Sequence, residues 1–382
     1  MHPHEAASHR LGVVSVPIPV FPDCHGYVAC LHEGTPTFVA VMNSGSAMKI
    51  PLKRVRDQVI VITGATSGIG LATAKQAAKR GALVVLNARA EVDLQTVASE
   101  ISELGGQVAY AAGDVADSEV VHRLADTAIR EFGRIDTWVN NAGVSIYGLL
   151  EEVSIADARR LFDTNYWGMV QGSLVALAHL KKAGGALINI GSELSETVIP
   201  LQGHYTASKH ALKGFTEALR IELEQERAPV SVTLVEPSAI DTPYPEHAKN
   251  YMDVEPTHQP PVYAPEIVAN AILHCASHQH RTVRVGAGAK AFTLIEKVIP
   301  ALGDRIKVAS TFDGSRTSEP ARDENTLFGA RPGDPRVRGK YKGHVMKQSW
   351  STAATLRPLS AMLAAATIGV GLAYAVKSWR EN

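Results

Sequence analysis

The sequence predicts an α/β fold, a Rossmann-type doubly wound parallel sheet in a single catalytic domain. Between Val59 and Ala309, apolar β-branched runs alternate with amphipathic segments of ten or more residues. Buried strands that alternate with helices imply parallel strands joined by right-handed crossovers. A glycine-rich loop directly follows the first run. With 382 residues, 45% of them apolar, the chain can bury a substantial core.

Seven strands are expected in this part of the chain. They are VIVIT (59–63), LVVLNA (83–88), QVAYAAG (107–113), IDTWVNNAG (135–143), ALINIGS (186–192), VSVTLVEP (230–237) and TVRVG (282–286). The catalytic domain is therefore predicted to cover residues 51–309.

The first strand leads into the loop from Thr63 to Gly70, and a helix is predicted to begin near Leu71. Glycines let a backbone approach a pyrophosphate closely, and the free amides at a helix start point towards it. A tight turn without a ligand is the alternative, but a glycine loop that opens a βαβ unit favours dinucleotide binding. The predicted contacts are Gly64, Thr66, Ser67, Gly68, Ile69 and Gly70.

The second strand ends at Arg89, about twenty residues after the glycine loop. An acidic residue at this point would accept hydrogen bonds from a ribose 2′-hydroxyl, whereas a guanidinium suits a 2′-phosphate. The alternative is a solvated surface arginine. The sequence thus predicts NADP(H) in preference to NAD(H).

The third and fourth strands end in two further candidate cofactor segments. Asp114, with Val115 beside it, is placed to meet an adenine edge, and small residues at 141–143 would let the backbone approach the ribose and nicotinamide. Either segment could be ordinary turn chemistry, since Asn and Gly are the usual turn residues. The fourth-strand candidates are Asn141, Ala142 and Gly143.

Tyr205 and Lys209 lie four residues apart in the run YTASK. On a helix this spacing puts both side chains on one face. A nearby ammonium favours the ionised phenol and lowers its pKa towards the operating pH. Such a phenol can give a proton to a carbonyl oxygen or take one from an alcohol. Ser192 and Asn165 precede this pair in the sequence.

Together these residues closely resemble the short-chain dehydrogenase/reductase family, over residues 55 to about 290. TGATSGIG, NNAG, Asn165, Ser192 and YTASK follow the family's order and spacings. The resemblance implies that Tyr205 is the general acid/base and that Ser192 steadies the substrate oxygen. It also implies that Lys209 lowers the tyrosine pKa and holds the nicotinamide ribose, while Asn165 maintains a water-linked proton path.

The family's Pro-Gly motif after the sixth strand occurs here as Pro237-Ser238, followed by Ile240 and Thr242. The resemblance implies that these residues reach the cofactor carboxamide. The proline-rich stretch that follows, residues 243–266 and called here the lid stretch, corresponds to a lid over the substrate in family members. In it, His247 either touches the substrate or is an ordinary exposed loop histidine.

These features predict an NADP(H)-dependent oxidoreductase that interconverts a carbonyl and a secondary alcohol, with a homo-oligomeric assembly implied by the family. The alternatives are a catalytically silent NADP(H)-binding sensor or scaffold, and a sugar-nucleotide epimerase or dehydratase. The small-molecule substrate is expected to be hydrophobic, because the loop after Ser192 carries apolar residues. These are Leu194, Val198, Ile199, Pro200 and Leu201.

Composition limits the other classes of function. The 38 basic residues balance 38 acidic ones, so neither nucleic acid nor another polyanion is an expected partner. Three scattered cysteines favour a reducing compartment, the cytoplasm. The spacing of Cys24, His25, Cys30 and His32 matches no common zinc pattern, and no metal is predicted.

The two ends of the chain differ from the predicted domain. Residues 1–50 contain several prolines and no helical period, which indicates either a disordered extension or a start codon assigned too far upstream. Residues 310–350 form a polar linker or a segment draped on the domain. In the apolar helix predicted for 351–382, Leu359 to Val376 carries no charge. It could be a membrane anchor, an interfacial helix or a packed soluble helix.

Overall fold

A seven-stranded parallel sheet lies at the centre of the computed structural model, which describes residues 48–286 and 299–356. The order across the sheet is β11-β7-β6-β4-β1-β2-β3, and every neighbouring pair is parallel. The predicted doubly wound sheet is therefore confirmed. Its strands are β1 Val59–Thr63, β2 Leu83–Ala88, β3 Val108–Ala112, β4 Thr137–Asn140, β6 Gly185–Ile190, β7 Val230–Pro237 and β11 Thr282–Val285.

Helices cover both faces of this sheet. Because successive side chains of a strand point to opposite faces, Ile60 and Ile62 belong to one buried cluster while Val59 and Val61 belong to another. The helices are α1 Gly68–Lys79, α2 Glu91–Glu103, α3 Ser118–Phe132, α4 Ile155–Phe162, α5 Met169–Ala183, α6 Gly203–Gln225, α7 Tyr244–His247, α8 Pro265–Cys275, α9 Pro300–Gly314 and α10 Trp350–Leu356.

The strand order reverses beside β1, where β2 pairs on one side and β4 on the other. In open α/β sheets such a reversal leaves a crevice at the carboxyl ends of the strands. Helix α1 begins at Gly68 rather than near Leu71, because the Leu71 amide already donates to the Ser67 carbonyl at 3.1 Å. The crevice therefore lies against the start of α1.

Short strands attach the later part of the chain to the domain. Three two-stranded ladders join β5 Ile146–Tyr147 to β8 Lys249–Asn250, β9 Val254–Pro256 to β12 Arg316–Pro320, and β10 Val262–Tyr263 to β13 Val345–Met346. Within residues 310–350, Leu327 is fully buried. This stretch is thus draped on the domain rather than free of it.

The predictions for both termini fall on residues that the structure leaves undescribed. These are the N-terminal extension with its cysteines and histidines, and the apolar segment from 359 to 376. Within residues 48–286 and 299–356, no helix is long and apolar enough to cross a membrane.

Candidate active site

The glycine loop between β1 and α1 packs tightly against the end of β4. Gly64 has a φ of +65°, and a Cβ atom there would lie 2.9 Å from the Ala142 Cα. At Gly70 a Cβ would lie 2.1 Å from the Gly64 carbonyl oxygen. These positions require glycine because a side chain would push the loop away from the crevice.

Asn141 holds this loop in place. Its Nδ2 donates to the carbonyl oxygens of Thr63 and Gly64, at 2.9 and 3.1 Å. Its backbone N–H donates to the Thr63 hydroxyl at 3.0 Å. The side chain predicted as a cofactor contact therefore also sets the shape of the phosphate-facing loop.

A cavity of about 210 Å³ follows the carboxyl ends of β1, β2 and β4. Most of the predicted cofactor residues lie in its wall, but Gly70 does not, because it packs beneath the loop. The predicted residues that line the cavity are Gly64, Thr66, Ser67, Gly68, Ile69, Arg89, Asp114, Val115, Asn141, Ala142, Gly143 and Thr242.

Arg89 faces this cavity with an unsatisfied donor. Its Nη1 is buried and has no hydrogen-bond partner among the described residues, although buried polar groups are nearly always paired. Nearby, Asp114 forms an ion pair with Arg160. The glycine cradle fits the dinucleotide that the sequence implied, and the Arg89 guanidinium presents an unpaired donor in the same cavity.

Tyr205 and Lys209 share one face of α6, as their spacing predicts, and both are buried. The Lys209 Nζ lies 5.6 Å from the centre of the Tyr205 ring and donates to the Ile190 carbonyl at 2.8 Å. Burial lowers the pKa of Lys209 to about 8.

The expected lowering of the Tyr205 pKa by Lys209 is not found. Burial raises the pKa of Tyr205 to about 12, because the ionised phenol loses its hydration. Hydrogen bonds with Ser192 and Tyr244 act in the opposite direction, and the charge of Glu193 adds to the increase. Tyr205 is accordingly a neutral, proton-bearing phenol at neutral pH.

Different local backbone structures position Ser192 and Asn165. Ser192 begins a 3₁₀ turn, Glu193–Ser195, and its hydroxyl accepts from the Leu194 amide at 3.1 Å. Asn165 lies in a π-helical turn between α4 and α5. Its amide exchanges hydrogen bonds with the Val144 backbone and does not reach the cavity wall.

A second cavity of about 220 Å³ adjoins the first. The two share Ile69, Asn141, Gly143, Thr242 and Tyr244 in their walls. The remaining predicted residues that line the second cavity are Ser192, Tyr205, Lys209, Pro237 and Ile240, with Leu194 and Ile199 from the apolar loop.

Sequence reasoning missed a polar aromatic group in the second cavity. The Tyr244 hydroxyl accepts from Gln202 at 3.1 Å and hydrogen-bonds the Ser145 hydroxyl at 2.7 Å. The Tyr244 ring stacks on His258, with centroids 6.1 Å apart. No motif marks these residues, although their concentration in the lid stretch was a usable signal for Tyr244 and His258.

His247 is not the exposed loop histidine expected as one alternative. It is half-buried in the wall of the first cavity, and its carbonyl oxygen accepts from the Thr326 amide at 2.9 Å. Burial lowers its pKa. Its position beside the cofactor groove rather than the substrate cavity follows from the path of residues 321–344, which packs over it.

A parallel sheet with a glycine cradle, leading to a buried Ser-Tyr-Lys group, defines a dinucleotide-dependent oxidoreductase site. The chain belongs to the short-chain dehydrogenase family. The model of this family, described as "short chain dehydrogenase", matches residues 58–252. It is 45% identical over 322 residues to the "Uncharacterized oxidoreductase YxnA" of Bacillus subtilis (strain 168), covering 83% of this chain and 90% of that protein.

Two further similarities bear on the site. The "11-beta-hydroxysteroid dehydrogenase-like 4A" of Arabidopsis thaliana is 40% identical over 191 residues, which is 50% of this chain and 63% of that protein. An alcohol dehydrogenase from the archaeon Thermococcus sibiricus, complexed with 5-hydroxy-NADP, aligns with a TM-score of 0.53 and 27% identity. That alignment covers 60% of this chain and 95% of the archaeal one.

Proposed function

We propose that this protein is an NADP(H)-dependent oxidoreductase that interconverts a carbonyl and a secondary alcohol. The observation that carries the proposal is the shared wall of the two cavities. The groove fitted to a dinucleotide opens directly onto the cavity that holds Ser192 and Tyr205. When bound, the nicotinamide supplies the hydride, and the protein provides orientation and the proton.

In this proposal Tyr205 is the general acid/base. Its burial keeps the phenol protonated at neutral pH, which suits proton donation to a carbonyl oxygen. Ser192 shares the cavity and the hydrogen-bond network of Tyr205, so it can hold the same oxygen. As the family resemblance implies, Lys209 holds the nicotinamide ribose and Asn165 maintains a water-linked proton path behind Lys209.

The preference for NADP(H) over NAD(H) rests on Arg89. Its guanidinium has a buried donor that no described residue satisfies, and a phosphate oxygen is a strong acceptor for such a donor. The Thermococcus sibiricus structure, which is complexed with 5-hydroxy-NADP, adds support from a similar fold.

We propose a hydrophobic carbonyl compound as the substrate. Tyr147, Leu194 and Ile199 give the second cavity an apolar wall, and Gln202 and His258 add polar groups. The partial similarity to the 11-beta-hydroxysteroid dehydrogenase-like protein favours the same class. Much faster reduction of small polar ketones or sugars than of any apolar ketone would contradict this assignment.

We also propose a homo-oligomer in the cytoplasm. Trp167 and Leu174 are 51% and 54% exposed and lie seven residues apart, where the π-helical turn continues into α5. Exposed large apolar side chains on one face are typical of an interface between subunits.

The first test is a fluorescence titration of the full chain with NADPH and with NADH, on wild type and on Arg89→Ala. NADPH should bind more tightly than NADH, and the substitution should weaken NADPH by about tenfold while leaving NADH unchanged. Equal affinities in the wild type would contradict the NADP(H) preference.

Tyr205→Phe separates an enzyme from a silent sensor or scaffold. The variant should bind NADPH like the wild type but lose carbonyl reduction by at least about a hundredfold. If the wild type binds NADPH but converts no carbonyl or alcohol across a broad screen, the result favours the catalytically silent sensor or scaffold. A cofactor that remains tightly bound through purification would instead favour the epimerase or dehydratase alternative.

A further inference from the structure

Residues 321–344, called here the outer strap, pass over the cofactor groove between strands β12 and β13. The strap lies beyond the part of the chain that matches the family, which ends at residue 252. Both flanking strands pair with the stretch that precedes α8. These strand pairings therefore anchor the strap at both ends.

Three backbone hydrogen bonds fix the strap around the groove. The Thr326 amide donates to the His247 carbonyl at 2.9 Å, at the end of α7. The Gly333 amide donates to the Asp93 Oδ1 at 2.7 Å, at the start of α2. The Arg336 carbonyl accepts from the Gly68 amide at 3.0 Å, at the start of α1.

Side chains reinforce these contacts. Leu327 is fully buried in the cluster that contains Tyr205, and its carbonyl accepts from the Arg160 Nε at 3.0 Å. Arg336 pairs with the largely buried carboxylate of Glu246. Buried packing and charge-assisted hydrogen bonds of this kind hold the strap in a defined position on the domain.

The strap also forms part of the cavity wall opposite the Rossmann elements. Thr326, Ala330, Arg331 and Asp334 line the same cavity as Arg89. Arg331 pairs only with Glu324 among the described residues, at 2.9 Å, and both side chains of that pair are substantially exposed. Exposed pairs contribute little free energy, so the Arg331 guanidinium is free to exchange this partner for another anion.

Positive charge converges at this end of the cavity. Burial is the main cause that lowers the pKa of His247. The charge of Glu246 raises this pKa, and the charges of Arg336, Arg331 and Arg89 each lower it. Asp334 pairs with Arg336 at 2.7 Å. Arg336 is therefore shared between Asp334 and Glu246, whereas the buried donor of Arg89 and the exposed pair of Arg331 leave these two guanidinium groups able to contact an anionic ligand.

We propose that the outer strap is a wall of the cofactor site and that Arg331 is a second guanidinium, beside Arg89, for the 2′-phosphate of NADP(H). The inference rests on the proposed NADP(H) preference. It assigns part of the cofactor specificity to a segment more than two hundred residues away from Arg89 in the sequence.

The test compares Arg331→Ala with Arg89→Ala in the full chain. Arg316→Ala is the matched control, since Arg316 lies on β12 and pairs with the exposed Asp253 outside the cavity. Binding of NADPH, NADH, adenosine 2′,5′-bisphosphate and 5′-AMP is measured by calorimetry. Thermal unfolding of each variant without ligand checks that the fold is retained.

Arg331→Ala should weaken NADPH and adenosine 2′,5′-bisphosphate by about tenfold, the usual effect of a charge-assisted hydrogen bond. NADH and 5′-AMP should change less than about twofold, and Arg316→Ala should match the wild type. Unchanged NADPH binding in Arg331→Ala, with weakened binding in Arg89→Ala, would overturn this inference and leave the proposed function intact.

Two other outcomes also decide the question. If neither arginine variant alters the ratio of NADPH to NADH affinity, the roles of Arg89 and Arg331 in cofactor selection both fail, and equal affinities in the wild type would in addition contradict the NADP(H) preference. If Arg331→Ala tightens NADPH binding, the strap obstructs the groove rather than completing the site, and the inference is overturned.

Discussion

The ring of Tyr244 packs edge to face against the ring of Tyr205, with centroids 5.4 Å apart and 70° between the ring planes. Tyr244 belongs to the lid stretch after β7, whereas Tyr205 belongs to α6. A hydrogen bond between the two side chains lowers the pKa of Tyr205 against the larger effect of burial. The lid therefore takes part in setting the acidity of the proposed general acid.

Tyr244→Phe should shift the pH dependence of alcohol oxidation. Oxidation needs the ionised phenol, and loss of the hydrogen bond raises the Tyr205 pKa further, so the rate curve moves to higher pH. Between pH 7 and 10 the oxidation rate should fall about three- to tenfold, while carbonyl reduction near pH 7 changes little. The measurement is kcat/KM in both directions across this range.

Tyr251→Phe is the control for this experiment. Its hydroxyl donates to Asp157 at 2.8 Å and does not line the substrate cavity. An oxidation curve that coincides for wild type and Tyr244→Phe would show that Tyr244 does not act on Tyr205.

Two glycine substitutions should change different properties, NADPH binding in one case and the free energy of unfolding in the other. Gly70→Ala places a methyl group 2.1 Å from the Gly64 carbonyl oxygen, so the loop must shift and NADPH binding should weaken at least about tenfold. Gly214→Ala, within α6, meets no atom within 4 Å. It should raise the free energy of unfolding by about 0.5–1 kcal/mol and leave binding unchanged. Urea unfolding and NADPH titration measure both effects, and normal binding by Gly70→Ala would contradict the tight loop.

Glu236 should make the stability of the protein depend on pH. Burial, with a smaller contribution from Glu196, raises its pKa to about 7 in the folded state, even though Arg284 lies 3.1 Å away. The unfolded value is about 4.3. Because the pKa is higher in the folded state than in the unfolded state, the contribution of this carboxyl to the free energy of unfolding is fully present below the unfolded-state pKa. It is lost as the pH rises towards 7.

Glu236→Gln should therefore narrow the difference in unfolding free energy between pH 5 and pH 8, by about 1–3 kcal/mol. Urea midpoints at the two pH values measure this difference. Glu319→Gln, at an exposed position on β12, is the control and should keep the wild-type pH dependence. An unaltered difference in Glu236→Gln would mean that another group titrates in this range.

Leu174→Glu should dissociate the proposed oligomer. A charge in an apolar interface must be desolvated without a partner, which strongly disfavours association. Light scattering should give the mass of one protomer for this variant and a multiple of it for the wild type. Leu104→Glu, at a position 88% exposed after α2, is the control. A wild type that already has the mass of one protomer would exclude the oligomer.

The sequence by itself predicted the seven strands and the cofactor loop, because both depend on local chemistry. A buried parallel strand needs a continuous apolar run, and a loop such as that from Gly64 to Gly70 needs residues without side chains. The spacing of Tyr205 and Lys209 predicted a shared helix face for the same reason.

Only the tertiary structure decided what surrounds these residues. The raised pKa of Tyr205 depends on burial by elements distant in the chain, so a neighbouring lysine four residues away was not enough to predict its direction. The placement of Arg331 in the same cavity as Arg89 follows from the ties of the strap to α1, α2 and α7. Contacts between such distant segments leave no local pattern in the sequence, because they arise only when the packed elements bring the segments together.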